Sequence, residues 1–200
     1  SEFKTVEINN TFYRWPTKEV LQNWYREAPA GFRYTLKAPQ YITHMKKLKD
    51  VDDSVERLYQ LGSILKEKMG CFLFQLPPGF SYDEKNLNKL KVFVRLLDAR
   101  KKNVIEFRDR AWWNDKVYSL LRKGRIGFCN VAGMELPRDT RITSRFGFLR
   151  FHGHEKDYPL KELQRYAREL SKLKEAYVYF NNDSHAYAIK NAKELKEIVN

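Results

Sequence analysis

Charged and histidine side chains stand at the ends of short hydrophobic runs, and their types point to acid/base chemistry on an anion. Glu7 lies in "KTVEIN", Lys37 ends "FRYTLK", Glu106 and Arg108 bracket the end of "NVIEF", and Arg150 and His152 alternate in "FLRFHGHEKDY". Paired carboxylates serve as acid and base, or as nucleophile and acid in glycoside cleavage, depending on their separation. Histidine exchanges a proton near neutral pH. Glu106, His152 and Glu7 are therefore the candidate catalysts. The competing account of both carboxylates is ion pairing with Lys37, Arg108 or Arg150. Arginine offers a planar fork to carboxylate or phosphate and lysine a compact charge. Lys37, Arg108 and Arg150 thus make a small anionic ligand the expected partner, unless Arg108 instead caps the following "DRAWWND" turn.

Further polar and aromatic side chains fall nearby. Asn9, Gln75 and Asn181 end three of the runs, and Tyr13 and Trp113 follow two of them, in "NNTFYRWP" and "RAWWND". Aromatic platforms bind sugars or unstacked bases, whereas Trp112 reads as a packing anchor and "QLPPGF" as a rigid turn. In "YFNNDSHA", Asp183 or Ser184 is expected to cap the last helix, as Asp and Ser commonly do. His44 and His154 read as solvated loop residues. No H-E-x-x-H or comparable spacing occurs, so neither metal nor cofactor is expected. A divalent ion would require His152, Glu106 and His185 to converge, since such sites need three or more ligands at one point.

The elements that must position these groups alternate along the chain. Strands are predicted over 4–9, 32–37, 71–76, 103–107, 125–130, 146–151 and 176–181. Helical periodicity fills most of the gaps: "TKEVLQNWYREA" opening at Thr17, "VDDSVERLYQLGSILKEKMG" closing on Gly70, then "SYDEKNLNKLKVFVRLLDA", "NDKVYSLLRKG", "PLKELQRYARELSKL" and "AYAIKNAKELKEIVN". Residues 131–145 read as loop, and no linker or composition shift breaks the chain, so one domain over 1–200 is expected.

Strict strand–helix alternation implies a parallel sheet clad in helices. Nearly every strand ends polar, in phase with Thr35, Leu73, Val104, Phe148 and Tyr179, while the opposite phase holds Ile105, Phe107, Leu149, Phe151, Val178 and Phe180. Burying so many charges without partners would cost several kcal/mol each. A TIM-type (β/α) barrel removes the difficulty by gathering its strand ends at one wet mouth. Arg150 and His152 are then the upper rungs of one barrel strand. Such barrels run to about 250 residues, so a first strand–helix unit is expected to precede Ser1, the alternative being an incomplete barrel.

The totals bound the partners. Lys and Arg number 38 against 25 Asp and Glu, a net charge of +13, which attracts polyanions. The same Lys- and Glu-rich exterior is typical of heat-adapted proteins. No apolar run of about 18 residues occurs, so no membrane partner is expected. Cys71 and Cys129 each lie in an apolar run and read as buried thiols of a cytoplasmic protein. The leading function is an enzyme, a hydrolase ahead of an isomerase or lyase. The alternatives are a nuclease-like enzyme or a non-catalytic nucleic-acid-binding protein.

The chain resembles the YecE-like proteins, a domain of unknown function (family seventy-two), through "VEINNTFYRWP", "FRYTLKAPQYITH", "CFLFQLPPGF", "VIEFRDRAWW", "FGFLRFHGH" and "VYFNNDSHAYAIKNA", in order from residue 6 to 192. The resemblance implies a TIM-barrel-like fold and a preceding strand and helix, and brings no established activity. Some members carry an acid near the end of the sixth strand where this chain has Asn130, which argues against any role needing a third carboxylate.

Overall fold

Parallel strands joined by helices realise this alternation in the computed structural model, which describes residues 2–153 and 155–199. The chain divides into two compact units, one through Trp112 and one from Trp113 onward.

In the first unit β1 (Thr5–Ile8), β2 (Arg33–Lys37), β3 (Met69–Gln75) and β4 (Lys102–Glu106) pair side by side, all parallel. Glu7 stands opposite Thr35, Lys37 opposite Leu73, and Gln75 opposite Glu106. Because side chains alternate across a strand, one face collects Tyr34, Phe72 and Phe74 for the helices. Tyr34 stacks on Trp24 of α2 (Lys18–Glu27) at 5.9 Å. Phe72 meets Tyr59 of α3 (Asp52–Ser63) at 4.9 Å, and Phe74 meets Phe93 of α4 (Glu84–Leu96) at 5.1 Å. The other face carries Thr35, Lys37, Leu73, Gln75, Val104 and Glu106. A short helix, α1 (Asn10–Tyr13), follows β1. Thr17 caps α2 by accepting from the Val20 amide at 3.3 Å, and Asp83 caps α4 from Asn86 at 2.6 Å, contacts worth about 1 kcal/mol apiece.

The helix expected to run to Gly70 stops at Ser63, and Gly70 is buried inside β3. The cause is a distant contact. Lys66 takes a left-handed φ of 47°, and Lys68, only 8% exposed, donates from Nζ to Tyr25 O at 2.6 Å and Ala28 O at 2.5 Å. Those carbonyls close the C-terminal end of α2, where a cation is favoured.

The second unit comprises α5 (Asp115–Gly124), β5 (Gly127–Phe128), β6 (Asn130–Ala132), β7 (Gly147–His152), α6 (Leu160–Leu170), β8 (Ala176–Asn181) and α7 (Tyr187–Val199). Strands β6, β7 and β8 form a parallel sheet with Arg150 opposite Val131 and Tyr179, and His152 opposite Asn181. Leu149 and Phe151 pack with Leu163, Tyr166, Ala167, Leu170 and Leu195, and Val178 and Phe180 lie against that cluster. This is the phase assigned to helix packing from the sequence. Phe151 and Leu163, both at 0% exposure, each contribute about 1.5–3 kcal/mol by burial.

The strand expected over 125–130 is split at Cys129, and the following strand runs into the region expected to be loop. Asn130 explains the break. Its Nδ2 donates to Arg141 O at 3.0 Å and Phe148 O at 3.1 Å, and its Oδ1 accepts from the Arg141 amide at 2.6 Å. Thr143 likewise accepts from the Phe128 amide at 2.8 Å and donates to Ile126 O at 2.6 Å. Side chains thus replace ladder partners at this corner. The parallel α/β class holds, and the strand pairings among the described residues form open sheets rather than a closed ring.

Candidate functional site

At the C-terminal end of β4 Glu106 is fully buried, and its Oε1 lies 2.5 Å from Arg108 Nε. Arg108 therefore pairs with Glu106, and a neighbouring carboxylate holds an amide of the next turn. Asp109 is that carboxylate, its Oδ1 accepting from Ala111 N at 3.0 Å and its Oδ2 from Tyr82 N at 3.3 Å. With its side chain 13% exposed, Arg108 is held in one orientation by a partner that water cannot displace.

Lys37, half-buried at the end of β2, places Nζ 4.2 Å from the Phe12 ring centroid. Phe12 is fixed because the neighbouring Thr11 hydroxyl lies 2.7 Å from Lys37 O and 2.9 Å from Ile8 O. His44 packs edge-on against the same ring at 4.9 Å, with Nδ1 2.8 Å from Thr43 Oγ1. It is half-buried, not the solvated loop residue expected from sequence. Burial first, then the fields of Lys37 and Arg108, hold its pKa below the ordinary histidine value.

Glu7 and Gln75 are half-buried on the polar face, whereas Asn9 is exposed at the start of α1 and makes no capping bond from its side chain. Tyr13 is 72% exposed and touches Phe12 edge-on at 5.0 Å. Trp112 is the anchor expected, buried between Phe80 and Phe107 with Nε1 donating to Phe80 O at 2.7 Å. "QLPPGF" turns where Phe80 N donates to Pro77 O at 3.0 Å.

In the second unit Arg150 is 1% exposed, with Nη1 3.3 Å from His152 Nε2. Asn181, across the pair of strands, accepts from Arg150 Nη2 at 2.7 Å and donates to Phe180 O at 3.3 Å. Arg150, His152 and Asn181 therefore form one polar group at the ends of β7 and β8. The His152 carbonyl accepts from the Tyr158 hydroxyl at 2.5 Å. Gly133, at a φ of +83°, lies against both: a Cβ there would come within 1.9 Å of His152 O and 2.1 Å of the Tyr158 hydroxyl. Trp113 packs edge-on against Phe128 at 5.0 Å, and its indole N–H is buried without an acceptor among the described residues.

Sequence reasoning missed the residues that hold the segment after β7. Asn182 donates to Lys156 O at 2.7 Å and to Asn191 Oδ1 at 2.9 Å, and Asn191 also accepts from Tyr158 N at 3.1 Å. Asn191 Nδ2 reaches Asp157 Oδ1 at 2.9 Å, and Lys190 pairs with Asp157 at 2.5 Å. The only sequence signal was the repeated Asn in "NND" and "KNA" within two apolar-flanked stretches. The expected cap of the last helix does not form. Asp183 makes no side-chain capping bond, Ser184 Oγ lies 2.9 Å from His185 Nδ1, and α7 begins only at Tyr187. His154 lies outside the described residues. Among the described residues no three His, Cys, Asp or Glu side chains form a group able to hold a metal ion. None of the described helices is long and apolar enough to cross a membrane.

Comparison with known proteins places this arrangement. The family model described as "Protein of unknown function DUF72" matches residues 1–200. The UPF0759 protein YunF of Bacillus subtilis (strain 168) is 24% identical over 245 residues, covering 100% of this chain and 84% of its own. The UPF0759 protein YecE of Escherichia coli (strain K12) is 35% identical over 78 residues, covering 39% of this chain and 29% of its own. A crystal structure of a DUF72 family protein from Thermotoga maritima MSB8 is 27% identical with a TM-score of 0.86, covering 98% of this chain and 85% of that one. One from Enterococcus faecalis V583 shares the fold at 19% identity and a TM-score of 0.87, covering 98% and 84%. The chain belongs to the DUF72 family.

Proposed function

We propose, with membership of that family as the premise, that the chain is a hydrolase-type enzyme acting by acid/base chemistry on an anionic, phosphate- or carboxylate-bearing substrate. In this reading the fold is of the (β/α)-barrel kind and the substrate meets the C-terminal ends of its strands, where that architecture keeps its chemistry. The carrying observation is Arg150, a guanidinium only 1% exposed, aimed by contacts to His152 and Asn181. A cation held rigidly at a strand end loses little freedom on meeting an anion, and little reorganisation is needed when charge develops. In the second unit Arg150, with Asn181, binds the anion, and Lys37 is the anion-binding cation of the first unit. Arg108 adds its fixed charge, and Glu106 acts first as the carboxylate that orients Arg108. His152 is the proton-exchanging group of the second unit, and Glu7 is the acid/base group of the first. Asn9, Gln75, Tyr13 and Trp113 contact the remainder of the substrate.

Two measurements test the proposal. Isothermal calorimetry with inorganic phosphate should give saturable binding that Arg150→Met weakens at least tenfold. Turnover of a panel of phosphomonoesters, phosphodiesters and carboxylic esters should be lost in His152→Gln. Equal binding by Arg150→Met, or undiminished turnover by His152→Gln, overturns the assignment.

A nucleic-acid substrate is the second reading, favoured by the net charge of +13 and by the 72% exposed ring of Tyr13. It requires affinity for a single-stranded oligonucleotide to fall steeply with salt, by about two and a half orders of magnitude between roughly 50 and 200 mM if some six phosphates are contacted. A flat salt response excludes it.

A further inference from the structure

Nothing in the proposed chemistry uses His44, yet its surroundings are those of a site residue. It lies in the turn that follows β2, and it shares the Phe12 ring with Lys37. The imidazole meets that ring edge-on at 4.9 Å, and the Lys37 ammonium stands 4.2 Å from the ring centroid. The Thr11 hydroxyl ties α1 to the Lys37 carbonyl, so the shared ring cannot drift from the strand end. Thr43, fully buried, fixes the imidazole through the 2.8 Å contact to Nδ1.

Among the described residues, α1 presents Phe12 to His44, with Tyr13 packed on the same ring, β2 presents Lys37 to that ring, and Arg108, paired with Glu106 after β4, acts on His44 through its field. The cations whose fields lower the His44 pKa are Lys37 and Arg108, the same cations assigned to the anion.

We infer that His44 belongs to the anion site of Lys37 and Arg108 and takes up a proton when a dianion binds there, so that anion and proton enter together. The inference rests on the reading that these cations receive an anion. Without one, burial disfavours the charged imidazole, and the fields of Lys37 and Arg108 disfavour it further. A bound dianion reverses the local field, and the imidazolium then donates a hydrogen bond to it. Linkage is reciprocal: the factor by which the anion raises proton affinity is the factor by which protonation tightens the anion. A rise of about one pH unit in the His44 midpoint corresponds to roughly tenfold tighter anion binding on the acid side. The site then favours a dianionic ligand presented below neutrality.

Sulfate is the probe, because its charge is constant between about pH 5 and 8. The histidine Cε1–H resonances of the full chain are titrated with and without saturating sulfate, and His44→Gln assigns the His44 signal by its disappearance. The His44 midpoint should lie below 6.5 and rise by about one unit with sulfate. Lys37→Met should raise the sulfate-free midpoint and shrink the response. Calorimetry of the wild type in buffers of different ionisation heat, at about pH 6.5, should show proton uptake on binding that His44→Gln removes. That measurement does not depend on how well Lys37→Met folds. Sulfate binding without movement of the His44 midpoint overturns the inference and leaves the anion reading standing. An absence of sulfate binding across the whole pH range overturns both.

Discussion

Gly133→Ala is the sharpest test of how the second unit places His152. The residue has a φ of +83°, where an alanine is strained by about 1–2 kcal/mol. Its added methyl would also lie 1.9 Å from His152 O, 2.1 Å from the Tyr158 hydroxyl and 2.8 Å from the His152 carbonyl carbon. No flexible side-chain end can yield here: two of the three atoms are backbone and the third is the hydroxyl of a tyrosine 2% exposed. Relief requires His152 to move away, which breaks the 2.5 Å bond from Tyr158 and leaves buried groups unsatisfied at about 1–3 kcal/mol. The combined loss is about 2–5 kcal/mol, or roughly 4–20 °C in melting temperature for a chain of this size. Urea unfolding followed by far- and near-ultraviolet circular dichroism measures it, and the His152 Cε1–H shift reports the local displacement. Tyr158→Phe removes one of the colliding atoms, so the double variant should lose less than the two single losses added together. A Gly133→Ala protein within about 0.5 kcal/mol of wild type, with His152 unshifted, would refute the reasoning.

Substitutions at three further residues probe separate contacts. Glu106→Gln removes the buried partner of Arg108 and should cost roughly 3–5 kcal/mol, read as a lower urea midpoint; a loss under about 1 kcal/mol would deny the pair its role. Asn191→Ala strips the acceptor from the Tyr158 amide and from Asn182. It should cost about 2–4 kcal/mol and speed hydrogen exchange at Tyr158, while Asn191→Asp should not restore stability because it sets a charge beside Asp157 and Glu194. His44 carries the pH dependence. Its native pKa is depressed, so as pH falls below about 6.5 the unfolded chain takes up the proton first and stability drops until the native state also protonates. His44→Gln should flatten that part of the profile in urea midpoints measured from about pH 8 to pH 5, and an unchanged slope would show that His44 does not titrate as described.

What the sequence disclosed was local, and what it concealed was long-range. Alternation alone assigned Leu149, Phe151, Val178 and Phe180 to the helix-packing face, because a strand has a fixed period of two. Thr17 announced the start of α2 through its own residue type. The end of α3 was hidden, since Gly70 is a typical stop and the actual cause is Lys68 reaching carbonyls about 40 residues earlier in the chain. The break at Cys129 depends on Asn130 finding the Arg141 backbone, which no local pattern encodes. At the site, the Glu106–Arg108 pairing was readable only as one of several options, and His44 was misjudged because its environment is built from Phe12, Lys37 and Arg108.

Lys68 has a consequence for chemical labelling. An ammonium with two of its three donors held by peptide carbonyls, on a residue only 8% exposed, is a poor target for acylating reagents. Its modification must wait for the end of α2 to detach from the entry to β3. Acylation of Lys68, followed by mass spectrometry of its peptide, therefore clocks the opening of the first unit, and the faster reaction of exposed Lys66 two positions earlier supplies an internal standard.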